Sequence, residues 1–499
     1  RSWQKTDIFN SPPFHVARVH LGIFNPESQP AFNQDRTIGA FLYGKIYGYE
    51  QEMTELGRRR GSIARNDTEF CLQAYEEHGK SFASRIDLNG SFVVTIFDLN
   101  TGRLTIINDR YGLNPLHYLV SNGKLLFASE VKAILQDCSL VKKLDTEAVV
   151  QSVALGSIYS NRTFFQGIQV LPPASILSYD GCDISVEQYW RMEYQPDYDS
   201  SEEELADQLL HTFRKAVATQ LNHRLRCSIS LSGGYDSRAV IAAVDRERRG
   251  HLVTHTFGVP GCYDVSIAEA TARLAGTKHL YIPVSAEESL GSYPAEIVYL
   301  TDGMHGAHAG FAIPVYEKAR CEVDIVCEGL ATGTTLAGRY IGKRVLKAKD
   351  NGELVQIVDR RRVFSDHMMA GLLHQRFYDD VRDIPMRAIK ASLVPEIAHP
   401  ANRLDHHVIQ DIQRRSLFPG YTTLLQNFVE TVAPTFDIDF FDVILRVPPE
   451  LRSQHRIYRT LLKKLDPELA RIPYEATMLP ADAPLWLWKP ALLYQKGRA

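Results

Sequence analysis

Residues 227–248 constrain the fold of this chain more than any other stretch. A short apolar run, residues 227–231, is followed by the turn Ser232-Gly-Gly-Tyr-Asp-Ser237 and then by a helical pattern over residues 238–248. An apolar run of this length indicates a buried parallel strand. Two adjacent glycines let the turn bend tightly and approach a ligand closely. The stretch therefore predicts a strand, a ligand-binding turn and a helix.

The turn has the composition of a phosphate cradle. Its backbone N–H groups converge at the start of a helix, beside the hydroxyls of Ser232 and Ser237. Asp236 only accepts hydrogen bonds, so beside a triphosphate it is predicted to bind Mg²⁺. No Gly-Lys-Ser/Thr follows, which excludes a Walker loop. An ordinary corner made of small residues is the alternative interpretation.

The signature Ser-Gly-Gly-x-Asp-Ser resembles the pyrophosphate loop of the ATP-pyrophosphatase enzymes, which activate an acid or an amide by adenylation. The resemblance implies ATP and Mg²⁺ as cofactors, with Asp236 as the metal ligand. The residues expected around the nucleotide are Leu231, Ser232, Gly233, Gly234, Asp236, Ser237, Phe257, Glu328 and Gly329.

Length and charge limit the class of protein. A chain of 499 residues is too long for one core and predicts two or three domains. A net charge of -3 gives no electrostatic case for nucleic acid or an anionic membrane. No window approaches the roughly eighteen consecutive apolar residues of a transmembrane helix, and the first residues lack a signal-peptide core. The 7 dispersed cysteines favour a reducing compartment, and we expect a cytoplasmic protein.

Residues 1–192 are predicted to form a β-rich α+β domain of two packed sheets. Short alternating runs are separated by turns such as Asn100-Thr-Gly and Ser121-Asn-Gly. Asn108-Asp-Arg-Tyr-Gly-Leu-Asn-Pro-Leu-His-Tyr118 and Leu126-Phe-Ala-Ser-Glu-Val-Lys-Ala-Ile134 resemble motifs in the glutaminase domain of asparagine synthetases. The resemblance implies an Ntn-hydrolase-like fold.

Two departures argue against glutaminase chemistry in this domain. The family uses a first-residue cysteine whose α-amine is the base, and this chain begins with Arg1, a departure that truncation of the chain would explain. The family's Asn-Gly-Glu-Ile-Tyr-Asn is replaced by Tyr43-Gly-Lys-Ile-Tyr-Gly48, which loses an oxyanion-hole donor and reverses a charge at Lys45. Loss of one such donor raises the barrier by about 2.7–4 kcal/mol. We therefore expect a degenerate glutaminase domain.

A polar linker over residues 193–203 precedes the second domain, residues 204–499. Strands there alternate with helices, which predicts a parallel sheet. The spacing Asp264-x3-Ala268-x3-Ala272-x3-Gly276-Thr-x-His279 is similar to that of asparagine synthetases. The resemblance implies an α/β ATP-pyrophosphatase domain (PP-loop, adenine nucleotide alpha hydrolase-like) with a helical C-terminal part.

The loop at residues 329–338 keeps the frame of the family but not its acidic side chains. Asparagine synthetases have Gly-Glu-Gly-Ala-Asp-Glu-Leu-Phe-Gly-Gly there, and β-lactam synthetases have Gly-Tyr-Gly-Ser-Asp. This chain has Leu330 at the glutamate or tyrosine position and Gly333 at the aspartate position. Leucine cannot act as a base, and glycine offers no side-chain ligand.

Two further basic regions are relevant to catalysis. The resemblance implies a catalytic lysine near residues 455–459, and Arg456 and Lys463 are the predicted substitutes. The basic stretch over residues 339–362 is interpreted either as a solvated surface or as cations that meet phosphates or a carboxylate.

Together these features predict an ATP-dependent amide-bond-forming ligase of the asparagine synthetase superfamily, which includes lasso-peptide cyclases. The enzyme would adenylate a small-molecule or peptide carboxylate, and ammonia or a substrate amine would then attack. No nucleic acid or membrane partner is expected, and a homo-oligomer is left open. The alternative is a nucleotide-binding, non-catalytic regulatory or scaffold relative.

Overall fold

A computed structural model describes residues 1–221, 225–285, 287 and 291–496. The strands are β1 (Lys5–Ser11), β2 (Phe14–His20), β3 (Ala31–Phe32), β4 (Ile38–Tyr47), β5 (Asn89–Asp98), β6 (Arg103–Asn108), β7 (His117–Ser121), β8 (Lys124–Ala128), β9 (Gln169–Val170), β10 (Ser175–Tyr179), β11 (Ile184–Gln188), β12 (Cys227–Ser230), β13 (Val253–Gly258), β14 (Lys278–Pro283), β15 (Ile325–Cys327) and β16 (Glu430–Val432).

The α-helices are α1 (Glu50–Arg60), α2 (Asp67–His78), α3 (Phe82–Arg85), α4 (Val131–Ile134), α5 (Thr146–Leu155), α6 (Glu202–Gln220), α7 (Tyr235–Ala243), α8 (Arg246–Arg249), α9 (Tyr263–Ala275), α10 (Pro294–Thr301), α11 (Ala312–Ala319), α12 (Thr332–Thr335), α13 (Lys343–Leu346), α14 (Asn351–Asp359), α15 (Asp366–Leu372), α16 (Gln375–Val381), α17 (Ile384–Ser392), α18 (Pro400–His407), α19 (Phe418–Leu425), α20 (Ile438–Arg446), α21 (Pro449–Arg452), α22 (Arg456–Leu465), α23 (Pro467–Ala470) and α24 (Leu485–Lys496). A π-helix, Val408–Leu417, joins α18 to α19. None of these described helices has the length and apolar character that crossing a membrane would need.

The first domain is built on antiparallel sheets. A six-stranded sheet has the order β11-β10-β6-β5-β4-β3, and a three-stranded sheet has the order β8-β7-β9. The β1–β2 hairpin packs over the larger sheet, where Phe9 stacks on Phe97 at 4.6 Å between ring centroids. Helix α2 covers the other face through Phe70. The predicted α+β, β-rich fold is confirmed.

The second domain is organised around a five-stranded parallel sheet of order β14-β13-β12-β15-β16. The central strand β12 pairs with β13 on one side and β15 on the other, and its Ile229 is completely buried. After β12 the chain moves to one side for β13 and β14, and then returns to the other side for β15. The strand order therefore reverses between β12 and β15, where ligands of open α/β sheets bind.

Helix α6 opens the second domain with a complete capping box. The Ser201 side chain accepts from the backbone of Glu204, and the Glu204 carboxylate accepts from the backbone of Ser201. Helices α20 and α22 pack against α6. This places α22 between α6 and the glycine-rich turn after β12.

Candidate nucleotide site

The turn after β12 ends at a helix whose first N–H groups are free of side-chain caps. Helix α7 begins at Tyr235, and its N-cap Gly234 has no side chain to satisfy them. The serine hydroxyls hold the turn itself: Ser237 Oγ accepts from the Ser232 N–H at 3.0 Å, and Ser232 Oγ accepts from the Gly234 N–H at 3.2 Å. The turn is thus shaped in advance for an anion at the start of α7.

The Asp236 carboxylate is fixed by the loop that follows β15. The Gly333 N–H donates to Asp236 Oδ2 at 2.9 Å. Burial raises the pKa of Asp236 to about 6, against the lowering effect of that hydrogen bond. A β-carbon at Gly329 would lie 2.6 Å from the Asp236 carbonyl carbon, so only glycine allows the two loops to approach this closely.

Asp236 suits a magnesium ion that is held mainly by phosphates. Within the described residues, no three His, Cys, Asp or Glu side chains converge as a metal site. Mg²⁺ is commonly held by one or two carboxylates together with substrate phosphates and water. The single carboxylate beside the cap-free start of α7 fits this donor set.

A C-terminal segment, residues 472–475, covers the glycine turn. The Glu475 N–H donates to the Gly233 carbonyl at 3.2 Å, and the Gly233 N–H donates to Asp264 Oδ1 at 2.7 Å. Arg238 donates to the carbonyls of Gly233 at 3.3 Å and Pro473 at 2.8 Å. A β-carbon at Gly233 would lie 2.6 Å from the Glu475 β-carbon, which requires glycine here.

The other predicted nucleotide contacts lie at the carboxyl ends of the same strands. The Leu231 N–H donates to the His255 carbonyl at 2.8 Å. Phe257, at the end of β13, stacks on Phe311 at 5.0 Å between centroids. Glu328 follows β15, and burial raises the pKa of its carboxyl to about 8. The structure brings these residues to one edge of the sheet, and their contact with a nucleotide stays a prediction.

The two residues predicted to be catalytic point away from the turn. Arg456 binds Glu202 of α6 at 2.8 Å, and Lys463 is exposed on α22. Tyr458, on a different face of this helix, is the residue that approaches Asp236. Since α22 advances about 100° per residue, Arg456 and Tyr458 cannot face the same neighbour. The catalytic role of Arg456 and Lys463 stays a prediction, and neither side chain lies against Asp236 in this structure.

Of three residues near Asp236, Tyr458 and Tyr474 were missed by the sequence reasoning, whereas Arg339 begins the basic stretch interpreted there as a surface or as cations that meet phosphates. Exposed Arg339 acts electrostatically on Asp236 and has no acidic partner within 4 Å in the described part of the chain. Tyr458 is 1% exposed, and burial followed by the Asp236 charge raises the pKa of its hydroxyl. Tyr474 stacks on Tyr235 at 4.5 Å between centroids. Of these three residues, only Arg339 was indicated by the sequence, because it directly follows the loop at residues 329–338.

Lys45 has a structural partner inside the first domain. Its ammonium lies 2.8 Å from Asp67 Oδ1, and Asp67 is 1% exposed. The same carboxylate accepts from Asn25 Nδ2 at 3.1 Å and from the Ile46 N–H at 3.0 Å. The charge reversal at Lys45 therefore neutralises a buried acid.

Tyr43 closes the boundary between the two domains. Its hydroxyl donates to Gln426 Oε1 at 3.0 Å, and the Gln426 amide donates to Asn114 Oδ1 at 3.1 Å. The space that remains beside Gly44 and Lys45 is a cavity of about 20 Å³. A volume of this size holds about one water molecule.

Comparisons with known proteins agree with this geometry. The asparagine synthase family matches residues 208–469, and the glutamine amidotransferase domain family matches residues 1–190. Asparagine synthetase [glutamine-hydrolyzing] 1 of Bacillus subtilis is 24% identical over 502 aligned residues, which cover 90% of this chain and 77% of that protein.

Two fungal amidases match a shorter part of the sequence. Amidase chyE of Penicillium rubens is 33% identical over 53% of this chain, and amidase chry2 of Gibberella zeae is 28% identical over 52%. The matched regions span 40% and 39% of those two proteins. This chain therefore matches less than half of the length of each amidase.

Proposed function

Because this chain belongs to the asparagine synthase family, we propose that it is an ATP-dependent ligase that forms an amide bond. The carboxylate substrate would attack the α-phosphorus of ATP, and the bond to the β-phosphate would break and release pyrophosphate. The nitrogen of ammonia or of a substrate amine would then attack the acyl carbon, lose a proton and displace AMP. We place this activity in the cytoplasm because the seven cysteines are dispersed along the sequence and suit a reducing compartment. The oligomeric state stays a prediction.

The observation that carries the proposal is the cap-free start of α7 at the point where the strand order reverses. The N–H groups of its first turn and the hydroxyls of Ser232 and Ser237 would hold the phosphates. Asp236 would hold Mg²⁺, which neutralises charge on the phosphates. Arg339 would stabilise the charge that develops on the leaving pyrophosphate.

The nitrogen donor would not be glutamine hydrolysed in the first domain. Lys45 and Asp67 satisfy each other where a glutamine-contacting glutamate stands in asparagine synthetases. We therefore assign the amine to free ammonia or to a second substrate.

A second candidate is a protein that binds nucleotide without turnover. Leu330 is 6% exposed, with its carbonyl bound to Thr435, and Gly333 offers only a backbone N–H to Asp236. Both positions carry polar side chains in the asparagine and β-lactam synthetases. A regulatory or scaffold role would preserve the turn and tolerate these two changes.

The experiment is pyrophosphate release by the purified protein with ATP and Mg²⁺, in the presence of pooled small carboxylates, peptides and cell extract. Release that needs extract or ammonium but not glutamine is expected, and Asp236→Ala should abolish it. Asp199→Ala, on the exposed linker, is the matched control. Nucleotide binding without any release would favour the non-catalytic alternative. Release by Asp236→Ala at the wild-type rate would sink the assignment of the site.

A further inference from the structure

A large cavity lies between the two domains, away from the glycine turn. Its volume is about 1450 Å³. The walls come from the end of the first domain, from residues 188–198, from α17 and from the π-helix Val408–Leu417. No residue of the segments 231–237 or 329–338 lines it. It is therefore a second site, distinct from the proposed nucleotide site.

The inner wall holds a buried cation, Arg414, on which the Asp411 carboxylate acts electrostatically from three residues earlier on the π-helix without forming an ion pair within 4 Å. Arg414 is 6% exposed, and its guanidinium donates to the Ser160 carbonyl at 3.3 Å and to Asn161 Oδ1 at 3.0 Å. Within the described residues, Nη1 of Arg414 makes no hydrogen bond, and no carboxylate lies within 4 Å of the guanidinium. Burial lowers the pKa of Arg414 to about 10.

The neighbouring residue adds a second buried positive charge. Arg415 is 2% exposed and donates to the carbonyls of Ile158 and Arg162. The nearby carboxylate, Asp411, already accepts from the Ser160 N–H at 2.8 Å and lies 3.5 Å from His407. A buried charge is costly unless it is paired. Arg415 does not line the cavity, whereas Asp411 does, so a carboxylate at this end would be received by Arg414, through Nη1.

The rest of the lining combines aromatic and arginine side chains with the carboxylates of Glu147, Glu193 and Glu396. Trp190 lies under the Arg110 guanidinium at 4.8 Å, and Tyr194 and Tyr198 continue the same wall. Tryptophan, tyrosine and arginine dominate the residues that anchor protein partners. Arg191 is exposed and has no ion pair among the described residues. The volume also exceeds the roughly 300–1,000 Å³ of pockets for small ligands.

From these observations we propose that this cavity binds an acidic peptide in an extended conformation, with a carboxylate of the peptide on Arg414. The aromatic wall would contact the peptide backbone and apolar side chains. The binding site does not depend on the proposed ligase activity. Only the further step, in which the bound peptide is the acid or the amine of the reaction, rests on that proposal.

The π-helix gives this site a physical connection to the loop beside Asp236. Gln413 Nε2 donates to Thr334 Oγ1 at 3.0 Å, whereas Gln410 and Arg414 on the same helix line the cavity. A wide helical segment of this kind is frequent at functional sites. Occupation of the cavity would therefore act on the helix that supports the loop at residues 329–338.

The test uses the whole purified chain and fluorescein-labelled random peptides of about ten residues, a length chosen to exceed ordinary small ligands. One pool contains no acidic residue and the other is rich in glutamate. Fluorescence anisotropy should show binding of the acidic pool and little binding of the neutral pool. Arg414→Met should weaken binding by about tenfold or more.

Two further variants keep the result interpretable. Ala391→Trp narrows the cavity and leaves Arg414 unchanged, so it should weaken peptide binding as well. It tests the site independently if Arg414→Met fails to fold. Arg103→Met, exposed on β6 and outside the cavity, should bind as the wild type does. The proposal is overturned if no pool binds, if Ala391→Trp binds as well as the wild type, or if glutarate alone competes as strongly as the peptides. Peptide binding with no pyrophosphate release under any condition would support this site and count against the ligase.

Discussion

The backbone N–H of Gly333 lies 2.9 Å from Asp236 Oδ2, where asparagine synthetases carry an aspartate side chain. One carboxylate and one N–H group thus replace two carboxylates. The hydrogen bond favours the ionised form of Asp236, while burial opposes it and holds its pKa at about 6. The Gly333 N–H therefore offsets part of the cost of burying the Asp236 charge.

Restoring the acid should make the site dependent on magnesium. A β-carbon at position 333 would lie 3.3 Å from Asp236 Oδ2, so Gly333→Asp places two carboxylates side by side. Their repulsion should lower the melting temperature in EDTA. Adding Mg²⁺ should then raise the melting temperature of the variant by more than it raises that of the wild type. Thermal melts with and without Mg²⁺ measure this difference. Gly333→Asn is the uncharged control, and an equal response to Mg²⁺ in both variants would contradict the prediction.

The strand-turn-helix around Asp236 was predictable because its signals are local. The apolar run, the glycines and the helical pattern are consecutive in the chain, and parallel strands place their carboxyl ends together. That rule correctly placed Phe257 and Glu328 at the same edge of the sheet, and their contact with a nucleotide stays a prediction. The rule needs only the order of the elements, and it does not depend on their side-chain contacts.

The cover over the turn could not be predicted because it depends on distant parts of the chain. Glu475 contacts Gly233 through backbone groups, which no side-chain pattern reveals. Sequence alone also showed the charge reversal at Lys45 but not its partner Asp67. The pairing of Arg456 with Glu202 was also not predictable, because the rotation of α22 is set by packing against α6.

The pH dependence of stability should contain a contribution from Glu328. Its pKa is about 8 in the folded protein, raised by burial from an ordinary value of 4.5. Between these values the unfolded state binds fewer protons, so the free energy of unfolding should fall as pH rises from about 4.5 to about 8. Glu328→Gln should remove this decline and be more stable than the wild type above about pH 8. Urea unfolding across this range tests it, with exposed Glu396→Gln as control. The same slope in Glu328→Gln and wild type would refute it.

Lys45 should be required for folding stability and not for glutamine chemistry. Lys45→Glu places a second negative charge beside Asp67, which is buried, and should cost about 3 kcal/mol of unfolding free energy. Lys45→Met leaves the donors from Asn25 and Ile46 in place and should cost less. Urea denaturation measures both, with exposed Lys143→Glu as the control. A Lys45→Glu protein as stable as the wild type would show that Asp67 does not need the ammonium.

Arg339 should contribute to nucleotide affinity through its charge. Arg339→Ala should weaken binding of ATP with Mg²⁺ by about tenfold, because a cation close to Asp236 and the phosphates is lost. The difference from the wild type should shrink as salt is added. Calorimetric titration at two salt concentrations tests this. Arg344→Ala, exposed on α13, should change the affinity for ATP little. An equal loss of affinity in both variants would mean that Arg339 acts only through the overall charge of the protein.

Arg238 should attach the segment at residues 472–475 to the turn. The guanidinium is completely buried and bridges the carbonyls of Gly233 and Pro473, a geometry that one ammonium cannot reproduce. Arg238→Lys should therefore increase hydrogen exchange in residues 472–484 and weaken ATP binding, while exchange in β1–β11 stays unchanged. Arg273→Lys, exposed on α9, is the matched control. Faster exchange throughout the chain would indicate general unfolding. Unchanged exchange in residues 472–484 would show that other contacts of the segment, such as the stacking of Tyr474 on Tyr235, hold it in place.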